Sequence, residues 1–90
     1  MSANVVVYST SWCPFCVRAM GLLNQKQVAF TNIDVDEQPE KRVEMREKAG
    51  RNSVPQIWIN DYHVGGCDEL FALEAKGELD KLLAEENNNE

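Results

Sequence analysis

Short apolar runs alternate along this chain with longer stretches in which apolar residues recur every three or four positions. Residues 4–9, Asn-Val-Val-Val-Tyr-Ser, are apolar and β-branched and read as a buried strand. From Pro14 the pattern changes. Cys16, Ala19, Met20 and Leu23 fall at i, i+3, i+4 and i+7, which is one face of a helix. Pro14 suits the first helical position, where no N–H is needed, and Gly21 weakens the helix slightly. Residues 28–35 read as a second strand, with Phe30 and Ile33 turned to the core. Pro39 opens a charged helix that should end at Gly50. Its few apolar residues, Val43, Met45 and Ala49, predict a helix lying at the surface over one sheet face. Residues 55–59 form a third strand, with proline at its first position, where a strand tolerates it. Trp58 alternates with Ile57 and Ile59 and so belongs on the opposite sheet face, as packing. Asn60-Asp61 is a turn, residues 62–64 a short fourth strand, and Gly65-Gly66 a break. Asp68 and Glu69 suit the first turn of a new helix. Gly77 divides the remainder into two short helices, the second with Leu79, Leu82 and Leu83 inward. Residues 85–90 are acidic and Asn-rich and read as a disordered tail.

The element order is therefore β-α-β-α-β-β-α-α. Strands joined by a helical crossover should be parallel, and the tightly linked last pair antiparallel. That gives an α/β fold: a small four-stranded mixed sheet with helices on both faces. At 90 residues, one domain over the whole length is expected. The net charge of −6 provides no electrostatic footprint for nucleic acid or anionic membrane, so neither is an expected partner. No apolar stretch approaches the length of a membrane span. Met1-Ser2-Ala3-Asn4 lacks the basic and apolar regions of a signal peptide, so the expected location is cytoplasmic.

There are three cysteines, Cys13, Cys16 and Cys67, an odd and small number that argues against a secreted disulfide framework. Cys13 and Cys16 form a C-x-x-C pair where the first strand gives way to the first helix. Backbone N–H groups and the helix dipole favour negative charge at that point, and a thiolate is the nucleophilic form of cysteine. Cys13 is thus the expected exposed attacker, and Cys16, one turn inside the helix, the buried resolving thiol. Metal and structural-disulfide readings remain open. A zinc site needs four ligands, and beyond the pair only His63 and Cys67 are soft candidates, with no second C-x-x-C.

The segments CPFC, SVPQIWI and HVGGCDEL, in this order and spacing, resemble the glutaredoxin family, close to its small bacterial dithiol type. The resemblance spans residues 4 to about 83 and implies the thioredoxin fold. It also implies a glutathione-dependent reduction of protein disulfides and glutathionylated proteins, with glutathione as co-substrate and the chain acting as a monomer. Residue by residue, it places the Val54 backbone against the glutathione cysteine, with a cis bond to Pro55. It places the Cys67 and Asp68 N–H groups, after Gly66, on the γ-glutamyl carboxylate. The Asp68 carboxylate falls to the γ-glutamyl ammonium, and Arg42 to the glycine carboxylate. Two positions depart from the family. A lysine usual three residues before the nucleophile is Thr10, and the common tyrosine of the motif is Phe15. Trp12 is placed to shield Cys13 partly from water. The alternative implied by the family is an iron–sulfur carrier, two chains bridging a cluster through Cys13 and glutathione. Pro14 counts against it, because cluster-binding relatives usually carry another residue there. His63 reads as a surface strand residue, and Cys67 as a small packed residue.

Overall fold

The computed structural model describes residues 3–84; the tail expected at 85–90 lies outside them. Eight elements follow in the expected order: β1 (Val5–Ser9), α1 (Pro14–Gln25), β2 (Thr31–Asp34), α2 (Pro39–Ala49), β3 (Gln56–Ile59), β4 (Tyr62–Gly65), α3 (Cys67–Ala75) and α4 (Leu79–Ala84). The sheet order is β2-β1-β3-β4. β1 pairs with β2 in parallel, with Tyr8 opposite Ile33. β3 is antiparallel to β1, with Val7 opposite Ile57, and β4 is antiparallel to β3.

Because strand side chains alternate, each central strand serves two cores. Val5, Val7, Ile57, Ile59 and Val64 pack with Ala19, Leu22 and Leu23 of α1, Leu70 and Leu73 of α3, and Leu79 and Leu83 of α4. Tyr8 and Trp58 face the other way, with Val35 and Met45. Helices thus cover both faces, and Trp58 takes the face opposite Ile57 and Ile59. The architecture is the thioredoxin fold.

Three expectations are corrected. β2 is shorter than 28–35: it spans Thr31–Asp34 at the sheet edge, and the Val28 N–H donates to the Leu23 carbonyl of α1 at 3.1 Å. In α2, Met45 is buried but Val43, two positions away and so on the opposite side of the helix, is 42% exposed and does not face the sheet. The connection through α2 does not make β2 and β3 parallel. Arg42 of α2 touches Asp36, just beyond β2, and Asn52, shortly before β3. The exit of β2 and the entry of β3 therefore lie at one end of the sheet, and β3 must run in the opposite sense.

Helix ends follow local rules. Gly50 closes α2 in the left-handed region, φ 72°. Glu69 Oε1 accepts the Gly66 N–H at 2.8 Å at the start of α3, half of a capping box. Gly65 has φ 110°, and a Cβ there would stand 3.1 Å from the Glu69 side chain, so this close turn excludes other residues. Among the described residues, no helix is long and apolar enough to cross a membrane.

Candidate active site

β1 delivers the chain to residues 10–13 at one end of the sheet, and α1 begins at once with Pro14. Cys13 is the N-cap of α1: its Sγ accepts the Cys16 N–H at 3.2 Å, as a serine or aspartate oxygen would in that position. The same thiol points at the Val54 carbonyl, 3.9 Å away. The sulfur is therefore held between a backbone donor from α1 and a backbone acceptor from the loop before β3.

All three cysteines are free thiols. Cys16 is fully buried, and burial, reinforced by its contact with Cys13, pushes its thiol up to about 12. It is a neutral proton holder at neutral pH. Cys13 is only 5% exposed, so it is not the open thiol expected from its place ahead of the helix. The N-cap contact draws its side chain back under the first turn. Trp12 stands 74% exposed, its indole N–H donating to Asp36 Oδ2 at 3.2 Å. Burial also raises the Cys67 thiol, against the opposing pull of Arg18.

A cavity of about 230 Å³ opens beside the thiols, lined by Phe15, Arg51, Ser53, Val54, Pro55 and the first turn of α3 from Gly66 to Glu69. It brings together Val54, Pro55, Gly66, Cys67 and Asp68. The Val54–Pro55 bond is cis. Arg42 is not in its lining. It lies behind the loop, its Nη1 donating to the Asn52 backbone and side-chain oxygens, both at 3.1 Å. Its Nη2 faces Asp36 Oδ1 at 3.6 Å. A larger cavity, about 590 Å³, lies around Lys26, Val28 and Leu83 at the other end of β1, away from the thiols.

Thr10 does not stand where a lysine would reach a ligand. Its side chain is 1% exposed, and Oγ1 has no hydrogen-bond partner among the described residues. His63 is not a free surface residue either. It stacks on Trp58 with centroids 4.4 Å apart, and its Nε2 lies 2.7 Å from Gln56 Oε1. Burial and the nearby Arg51 hold its pKa down. It sits with Trp58 on the α2 side, whereas Cys67 belongs to the opposite core. Among the described residues, no group of three or more His, Cys, Asp or Glu is placed to hold a metal ion.

Sequence reasoning passed over Arg51 and read Glu69 only as an acid of the first turn of α3; the two pair at 3.5 Å on the cavity wall. The signal for Glu69 was present, since an acid at the third helical position is a capping pattern. Arg51 sits in an irregular loop, where periodicity carries no information. Asp36, which joins Trp12 to Arg42, was also passed over.

A family model described as Glutaredoxin matches residues 5–64. A glutaredoxin of Pseudomonas aeruginosa is 56% identical over 80 residues, covering 89% of this chain and 95% of the relative. Glutaredoxin 3 of Escherichia coli K12 is 49% identical over 81 residues, 90% of this chain and 98% of the relative. Among solved structures, a buckwheat glutaredoxin–glutathione complex superposes with a TM-score of 0.84 at 26% identity, over 90% of this chain and 76% of that one. The family model spans the thiol pair and the cis-proline loop, and on it and the two bacterial relatives the chain belongs to the glutaredoxin family.

Proposed function

We infer that this chain is a glutathione-dependent thiol–disulfide oxidoreductase working in the cytoplasm as a single domain and a monomer. The observation that carries the reading is the Cys13 sulfur, capped by the Cys16 N–H and facing the Val54 carbonyl at the rim of the cavity. Cys13, as thiolate, attacks the glutathionyl sulfur of a mixed disulfide. The old S–S bond breaks, the substrate leaves as a thiolate and takes a proton, and Cys13 carries glutathione. A second glutathione thiolate attacks that glutathionyl sulfur, forms oxidised glutathione and releases Cys13. With a protein disulfide, Cys13 makes the mixed disulfide first. Cys16 then attacks the Cys13 sulfur, and its proton passes to the departing substrate thiolate. The Cys13–Cys16 disulfide is reduced by two glutathiones.

The cavity suits a γ-glutamyl group. Cys67 and Asp68 occupy the first turn of α3, whose N–H groups have no partner within the helix. They would take the γ-glutamyl carboxylate, Asp68 its ammonium, and the Val54 backbone the cysteine of glutathione. Arg42 takes the glycine carboxylate from behind the loop, and Phe15 walls the cleft without a hydroxyl. The test is a turnover assay on a glutathione mixed disulfide, comparing glutathione with its reductase against thioredoxin reductase as electron source. Turnover with glutathione and a colourless protein purified without oxygen is the expected result. Turnover with thioredoxin reductase alone would defeat the glutathione reading, and visible absorption from a cluster would favour the iron–sulfur alternative.

A further inference from the structure

We propose that Asp36 is a specificity-determining residue: its carboxylate occupies Arg42 in place of the glycine carboxylate of glutathione and so sets how tightly glutathionyl substrates are held. The inference rests on the reading of Arg42 given above. Arginine holds a carboxylate best through two parallel N–H groups. Here Nη1 is committed to both oxygens of Asn52, and Nη2 is faced by Asp36 Oδ1. A glycine carboxylate that sought two donors would meet the negative charge of Asp36 first.

Asp36 is also held in place. Its Oδ2 accepts the Trp12 indole N–H, and its own N–H donates to Asp34 Oδ1 at 2.9 Å. The contacts form a closed ring. Trp12 adjoins Cys13, Asp36 joins Trp12 to Arg42, and Arg42 holds Asn52. Two residues on, Val54 brings its carbonyl back to the Cys13 thiol. Asp36 is the junction of that ring and carries the charge within it that opposes an incoming carboxylate. It is a positioning residue, since it acts through Arg42, with Trp12 holding it in place.

The test compares two substrates: a glutathione mixed disulfide, and the same compound with the glycine carboxylate esterified. Asp36→Asn keeps an acceptor for Trp12 and removes the charge. It should lower KM for the free acid about two- to fivefold, the scale of one exposed ion pair, with kcat unchanged and the ester unaffected. Glu37→Gln, an equal loss of charge on the neighbouring exposed residue, should give less than half that effect. An equal response of both substrates, no response of the free acid, or a matching effect of Glu37→Gln would each overturn the proposal. Arg42→Ala separates the two layers. If it abolishes the preference for the free acid, a failure of Asp36→Asn falls on this inference alone. If the preference survives Arg42→Ala, the Arg42 reading fails and the proposal falls with it.

Discussion

Cys13 and Cys16 differ less in exposure than in what their sulfurs touch. The Cys13 sulfur accepts an N–H and faces a carbonyl, whereas burial keeps the Cys16 thiol protonated. We predict that Cys16→Ser retains turnover of small glutathione mixed disulfides and loses reduction of protein disulfides, while Cys13→Ser loses both. Retained turnover in Cys13→Ser would reassign the nucleophile. Thr10 is the second residue of consequence. A buried hydroxyl without a partner costs free energy, and replacing it by an apolar group of the same shape recovers it. Thr10→Val should therefore raise stability by about 1 kcal/mol. Thr10→Lys should lower it, because an ammonium would be forced into an enclosed site. Denaturant midpoints of the two variants check this, and a lower midpoint for Thr10→Val would mean that Oγ1 has a partner after all.

At the scale of elements, α1 is anchored at both ends by different means. Its start is capped by the reactive sulfur itself. Its end is tied to α3 and α4 by Lys26, which reaches Glu74 at 2.7 Å and Asp80 at 2.9 Å. Between them lies Gly21, exposed, with nothing within 4 Å of where a Cβ would be. Alanine there costs no clash and restricts the unfolded chain. Gly21→Ala should stabilise the protein by about 0.5–1 kcal/mol without changing turnover. Thermal unfolding of the reduced protein measures it; an unchanged or lower midpoint would show that α1 bends at this position. On the other sheet face, α2 buries little apolar surface and is held by polar links instead. The Tyr8 hydroxyl donates to Glu44 at 2.5 Å, and Lys48 lies 4.9 Å from the centre of the Trp58 ring.

The folded molecule holds acidic protons to higher pH than an unfolded chain would, on Cys16, on Tyr8 and on Cys67. The Cys16 thiol is raised from 9.0 to about 12, chiefly by burial. Tyr8 is raised above its ordinary 10.0 by burial and its bond to Glu44. With the folded pKa above the unfolded one, the unfolded state binds fewer protons once the pH passes the unfolded value, and stability then falls as pH rises. The contribution from Cys16 is complete below about pH 9 and is lost as pH approaches 12. With thiols kept reduced, denaturant midpoints should hold from pH 7 to 9 and then decline. Cys16→Ser should flatten the decline between pH 9 and 10, and Tyr8→Phe the part above 10. A decline that neither variant changes would place its origin in other groups.

The order and type of all eight elements were legible in the sequence, as were the two sheet faces and the dithiol at the head of α1. Those features are local: a strand or helix period is complete within a few residues, and a C-x-x-C pair meets across one helical turn. The candidate site was legible where residues lie on such elements or match a family motif, as with Val54, Pro55 and the Gly66–Asp68 turn. Tertiary structure alone decided the rest. Asp36 meets Trp12 across 24 positions of chain, and the Cys13 thiol meets the Val54 carbonyl across 41. No period or spacing encodes contacts of that span. The same holds for the burial of Thr10, the stacking of His63 on Trp58 and the sense of β3. Each depends on which segment the folded chain brings alongside: the side of α2 that meets the sheet, and the end at which β2 leaves and β3 enters.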